Sequence, residues 1–233
     1  MSIKSFFQCT FLFSVLTILF FSSYAWATSQ QESVHPLSGR PYSGTMSVAG
    51  AAWLDRAERE DEERPDKALE IIGVPSGAVV ADIGAGSGYF TLRLSNLVGP
   101  TGHVYAVDIQ EGMLRIIQRK LERNQISNVS LVLGSQESSG LAEASLDLAL
   151  MVDVYHELAQ PQMLLQQLYL ALKPGGRLAL LEYRAEDPAI PILPLHKMTV
   201  ADAKLEIEHE GFKLTTVKSH DLPWQHVLIF TKP

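Results

Sequence analysis

From residue 78 onward the chain alternates short apolar runs with longer segments whose apolar residues recur every three or four positions. The short runs are Ala78–Ile83, His103–Asp108, Val129–Leu133, Leu146–Asp153 and Arg177–Tyr183. They have strand length and few polar residues, the mark of strands covered on both faces. The longer segments, Tyr89–Val98, Glu111–Asn124 and Gln162–Leu172, repeat at helical spacing, as Met113, Ile116, Ile117 and Leu121 show. Strict alternation of the two predicts an α/β fold with a parallel sheet between helical layers. Lys173-Pro-Gly-Gly-Arg177 is a tight turn into the fifth strand. Near the end, Thr199 caps a helix running to about Glu210, and Gly211 closes it. Phe212–Ser219 and Val227–Thr231 follow as two strands joined by Asp221-Leu-Pro-Trp224. That link is too short for a helical crossover, so the two strands pair antiparallel.

The first third of the chain follows a different pattern. Lys4, the apolar run Phe11–Phe21 and the small residues Ala25 and Ala27 form a secretory signal peptide over residues 1–27. The expected location is therefore periplasmic or secreted, with an uncleaved membrane anchor as the alternative. Residues 28–50 are rich in Ser, Gly, Pro and Gln and have little periodicity. Ala51–Glu63 has helical character, and its alternating charges suit a solvated face. Pro65 breaks it and a second helix runs from Asp66 to Ile72, closed by Gly73. The expected organisation is a signal peptide (1–27), a lead-in or lid (28–65) and one domain (66–233).

Charge narrows the partners. The formal charge of −7 becomes −8 once Lys4 leaves with the signal. An acidic surface repels phosphate backbones, so a nucleic-acid partner is not expected. The single cysteine, Cys9, also leaves, which removes disulfides and thiolate chemistry. No histidine or cysteine cluster has metal-ligand spacing, so no metal is expected.

The chemistry sits at the first strand. Val79-Val80-Ala81-Asp82-Ile83 leads into Gly84-Ala85-Gly86-Ser87-Gly88, then a helix, a second strand and Asp108. Strand, glycine turn, helix, strand and carboxylate in that order build a nucleoside-binding crevice at the carboxyl ends of parallel strands. Glycine permits the tight turn and a close ligand approach. Asp108 lies at the distance where a carboxylate reaches ribose hydroxyls. A dinucleotide fingerprint needs its third glycine where this chain has Tyr89, which argues against a pyrophosphate.

The run from Asp82 to Gly88 resembles motif I of the class I S-adenosylmethionine-dependent methyltransferases. The resemblance covers about Asp66 to Lys232 and looks closest to small-molecule enzymes of the ubiquinone/menaquinone-biosynthesis type. It implies a Rossmann-like, doubly wound, mostly parallel seven-stranded sheet with an antiparallel C-terminal hairpin. It also implies S-adenosylmethionine as cofactor and a small-molecule acceptor. Asp82 would then face the methionine ammonium, and Gly84, Ala85, Gly86 and Gly88 the methionine backbone. Asp108 would take the ribose and Ile109 the adenine. Ser135 or Gln136, after the third strand, would lie near the adenine amine.

The loop Asp153-Val-Tyr-His-Glu157 borders the transferred methyl in such a fold. Asp153 is expected beside the cofactor, and His156 is the general-base candidate because it titrates near neutrality. Tyr155 either shapes the catalytic pocket or packs. Glu182 and Arg184, ending the fifth strand, are expected at the same crevice, with Arg184 available to an anionic substrate. The proline-rich stretch Pro188–Met198 and the lead-in residues Tyr42, Met46, Trp53 and Arg56 are expected as lid walls. Two other readings stay open: a nicotinamide oxidoreductase, and a non-catalytic exported protein that keeps the fold. The acceptor and the oligomeric state are not written in these patterns.

Overall fold

A computed structural model describes residues 34–233, and the expected signal peptide lies outside the described residues. The strands are β1 (Val79–Ile83), β2 (His103–Asp108), β3 (Val129–Leu133), β4 (Leu146–Val152) and β5 (Leu172–Arg184), then β6 (Lys197–Met198), β7 (Lys213–Lys218) and β8 (Gln225–Thr231). The helices are α1 (Ala51–Leu54), α2 (Arg59–Glu62), α3 (Pro65–Ile72) and α4 (Tyr89–Val98), then α5 (Glu111–Asn124), α6 (Pro161–Ala171) and α7 (Val200–His209). The sheet order is β3-β2-β1-β4-β5-β8-β7. β1 to β5 run parallel, and β8 is antiparallel to both β5 and β7. This is the Rossmann-like sheet with its C-terminal hairpin. Among the described residues no helix is long and apolar enough to cross a membrane.

The two-residue period of the strands sorts their side chains between two helical layers. Leu148 and Leu150 of β4 pack with Val80 against Leu69 and Ile72 of α3 and Phe90 and Leu94 of α4. Ala149 and Met151 face the other way, toward Leu165 and Leu168 of α6 and Ile207 of α7. Thr199 caps α7 as expected, its hydroxyl accepting from the Asp202 amide at 2.9 Å.

Four departures from the sequence expectations have physical causes. The helix expected over Ala51–Glu63 divides into α1 and α2 around a turn. Its charges are only partly solvated, because Arg59 and Glu63 are buried and doubly hydrogen-bonded at 2.8 and 2.7 Å. Lys173–Gly176 is a bulge inside a long β5 instead of a turn before it: Leu146 pairs with Leu172, whereas Leu148 pairs with Arg177. The proline-rich stretch carries a short 3-10 turn, Pro194–His196, and then β6, an eighth strand paired with the end of β5.

The lead-in is pinned to the sheet domain by a buried carboxylate. Glu206 of α7 accepts from Ser38 Oγ at 2.5 Å and from Arg40 Nε and Nη2 at 3.2 and 3.0 Å. His35 lies 3.3 Å from the same carboxylate.

Candidate active site

A cavity of about 350 Å³ opens at the carboxyl ends of the parallel strands. Strand order reverses between β1 and β4, and the cavity lies at that switch point, where open α/β sheets bind ligands. Ile83, Val107, Val152 and Tyr183 bring the ends of four strands to its floor. Thr45, Met46, Trp53 and Leu54 of the lead-in and Pro191, Ile192 and Leu193 of the proline-rich stretch form its walls. Tyr42 and Arg56 stay outside the lining: Tyr42 packs on Arg40, and the Arg56 guanidinium lies 3.6 Å over the Trp53 ring.

The glycine turn is built for a close approach. Gly84 adopts φ +69°, and a Cβ there would fall 2.5 Å from Val154 Cγ2. Gly84→Ala is therefore expected to lower stability by about 1–3 kcal/mol, because it adds both a positive-φ strain and a clash. Urea denaturation checks this, and a change below about 0.5 kcal/mol would show that Val154 yields freely.

The Gly86 amide donates to Asp108 Oδ2 at 2.9 Å, and the Gln110 amide donates to Oδ1 at 2.8 Å. Asp108 is only 6% exposed yet lines the cavity. Burial pushes its pKa up, while these backbone hydrogen bonds pull it back. Ile109 and Ser135 line the same cavity. Gln136 also lines it, and its Oε1 accepts from the Ala159 amide at 3.2 Å.

Asp82, Ala85 and Gly88 do not line the cavity. Asp82 lies beneath the glycine turn, 3% exposed, and accepts from Thr91 Oγ1 at 2.5 Å. Its place behind the turn, instead of at the surface of the site, follows from the pleat of β1. Burial raises its pKa from 3.8 to about 6. A carboxyl with a raised folded pKa contributes stability below its unfolded value and loses it as pH rises through the folded value. Asp82 is thus expected to cost stability between pH 4 and 6, by roughly 3 kcal/mol over that window. Chemical denaturation of wild type and Asp82→Asn across that range checks it. Their difference should shift in favour of the variant as pH rises, and parallel curves would refute the assignment.

Asp153 follows β4 in a left-handed backbone conformation. It takes φ +52°, uncommon for a residue with a side chain. Gln225 Nε2 donates to its Oδ2 at 2.8 Å, while Oδ1 is buried without a partner. Burial, with Glu63 and Glu182 nearby, holds its pKa well above the usual carboxylate range.

At the other end, Glu182 is fully buried and bonds to His156 Nδ1 at 2.6 Å and to the Tyr155 amide at 2.8 Å. His156 Nε2 lies 3.1 Å from His196 Nδ1. Both rings line the cavity, as does Glu157, whose pKa burial pushes up to about 7. The base expected at His156 thus has both ring nitrogens engaged. Tyr155 does not reach the cavity; it is wholly buried on the far side, where Arg40 lies 5.6 Å from its ring. Arg184 is likewise turned away from the crevice. It donates to the carbonyls of Leu222 and Gln225 at 2.9 Å and so closes the β7–β8 loop instead of meeting a substrate.

Glu157, Tyr183 and His196 lie in segments that the sequence places at the crevice without singling them out, and Arg59 reads there as a solvated charge; all four line the cavity. Tyr183 donates to Glu63 at 2.9 Å, which ties the lead-in to the end of β5. No local spacing announces the Tyr183–Glu63 and His156–His196 contacts, because each joins segments far apart in the chain.

Comparison with known proteins gives a consistent picture. A methyltransferase-domain family matches residues 75–225, well over half of the chain. The ubiquinone/menaquinone biosynthesis C-methyltransferase of Pasteurella multocida is 33% identical over 132 residues, 56% of this chain and 47% of that protein. Its Pseudomonas fluorescens counterpart is 35% identical over 124 residues, 53% of this chain and 48% of that protein. The chain therefore spans about half the length of these curated relatives. The crystal structure of a SAM-dependent methyltransferase from Aquifex aeolicus superposes with TM-score 0.76 at 25% identity, covering 81% of this chain and all of that one.

Proposed function

The chain belongs to the methyltransferase-domain family, and from that premise we propose that it uses S-adenosylmethionine as its methyl donor, how its own residues hold that donor and which acceptor they admit. The ribose lies on Asp108, the adenine against Ile109 and Ser135, and the methionine portion along Gly84 and Gly86. The methionine ammonium is met by Asp153. The observation that carries this arrangement is the Asp153 carboxylate, which lines the same cavity as Gly84 and Gly86 and whose Oδ1 is buried without a partner. A cation at that oxygen satisfies an otherwise costly buried acceptor.

S-Adenosylmethionine, when bound, supplies a methyl group on a sulfonium sulfur. The protein then orients two reactants and excludes water. Trp53 and Leu54 from the lead-in and Ile192 and Leu193 from the proline-rich wall support an apolar small molecule as acceptor. A C-methyl acceptor of the kind the quinone-biosynthesis relatives are named for fits that chemistry. We also propose that residues 1–27 direct export; N-terminal sequencing of the protein from cell fractions tests this, and an intact Met1 in the cytosol would overturn it.

Calorimetric titration tests the donor assignment. S-adenosylmethionine and S-adenosylhomocysteine should compete for one site per chain, and NADH should give no heat, since Tyr89 stands where a dinucleotide needs glycine. A folded protein that binds neither adenosyl compound would overturn the proposal.

A further inference from the structure

Two imidazoles and a carboxylate that the donor arrangement does not use converge in the cavity lining. One ligand atom from each of His156, Glu157 and His196 lies within 4.8 Å of the others. The His156 Nε2 to His196 Nδ1 separation is 3.1 Å. Two imidazole nitrogens bound to one tetrahedral metal at 2.0–2.1 Å stand about 3.3 Å apart, so the pair needs only a few tenths of an ångström to admit an ion.

The layer behind the pair fits the same reading. Glu182 engages His156 Nδ1 at 2.6 Å, which places the proton on Nδ1 and leaves the Nε2 lone pair toward the cavity. Carboxylate–histidine pairs of this kind fix tautomer and ring direction at metal centres. Glu182 is itself held, because its other oxygen accepts from the Tyr155 amide at 2.8 Å. His196 arrives from the proline-rich wall, whose 3-10 turn Pro194–His196 fixes its backbone beside His156. The two rings stand nearly perpendicular, at 83°.

We propose that His156, Glu157 and His196 bind one divalent transition-metal ion, with open coordination positions facing the cavity. Two nitrogens and one carboxylate oxygen suit zinc, iron, cobalt or nickel better than the hard cations magnesium and calcium. A three-ligand set leaves room for an exogenous oxygen, as catalytic sites do. The ion's role follows from the methyl-donor reading and rests on it: coordination holds the acceptor molecule by one of its oxygens and lowers that oxygen's pKa, which leaves more electron density on the adjacent carbon that takes the methyl. Ion binding itself does not depend on that reading.

The test uses the full chain without an affinity tag, stripped with chelator, dialysed and titrated with zinc chloride by calorimetry. One ion per chain is expected. His196→Ala and Glu157→Gln should each weaken binding at least 10-fold, and Glu182→Gln by about 10–100-fold through the second layer. Circular dichroism confirms that each variant is folded, and His196→Ala, on a surface loop, is the variant least exposed to folding loss. Cobalt loading adds a visible absorption band that His196→Ala should abolish. Absence of zinc binding by the folded wild type, or zinc binding indifferent to His196→Ala, would overturn the inference and leave a plain histidine pair. S-adenosylhomocysteine is titrated into the same sample. Donor binding without zinc refutes only the metal site, and zinc binding without the donor refutes only the donor assignment.

Discussion

Asp108→Ala is expected to weaken S-adenosylhomocysteine binding by about 100-fold or more. A hydrogen bond to a charged partner contributes roughly 1.5–3 kcal/mol, and a ribose offers two hydroxyls to this carboxylate. The effect has a second source in the free protein. Asp108 accepts from the amides of Gly86 and Gln110, so it also holds the glycine turn against the end of β2. Asp108→Asn keeps the shape and an acceptor but loses the charge, and its loss should be intermediate. Calorimetry on the three proteins checks the order, with circular dichroism confirming the fold. Wild-type affinity in Asp108→Ala would place the ribose elsewhere.

Glu206→Ala is expected to cost about 3–5 kcal/mol of stability, the largest single effect away from the site. Removing one member of a buried ion pair strands the other. Here the stranded group is Arg40, whose side chain is only 8% exposed. Ser38 and His35 lose the same partner. Arg40 also donates to the His156 carbonyl at 3.3 Å, so loosening this anchor reaches the backbone of the site. Urea denaturation reads the change in midpoint at constant slope. A loss below about 1 kcal/mol would mean that the lead-in is held by its apolar contacts alone.

These two residues also mark what local sequence can and cannot convey. Asp108 was legible because its function is encoded by distance from a glycine turn along one chain segment. The same locality made His103–Asp108, Val129–Leu133, Tyr89–Val98 and Glu111–Asn124 readable to the residue. Each is bounded by turn residues and filled by one periodic pattern. Glu206 was not legible, since nothing in α7 shows that Arg40, far away in a polar lead-in, folds back onto it. Arg59 and Glu63 read as surface charges for the same reason: Glu63 meets Tyr183 at the end of β5, and Arg59 lies over the Tyr89 ring of α4.

Tyr155 and His156 illustrate the limit within the site. They are neighbours in sequence, yet one ring lines the cavity and the other packs behind it beneath Arg40. Arg184 turns away from the crevice because the carbonyls that hold it belong to the loop between β7 and β8. His196 reaches His156 because the end of the proline-rich stretch pairs with β5, a long-range contact that no local pattern encodes. In each case the deciding partner is remote in the chain.

The most direct test of the donor site is a crystal structure of the protein with S-adenosylhomocysteine. The ribose hydroxyls should lie within hydrogen-bonding distance of the Asp108 carboxylate, the amino group beside Asp153 Oδ1, and the sulfur on the Val154 side of the cavity. An adenosyl group bound away from Asp108, or a methionine end remote from Gly84 and Asp153, would contradict the account.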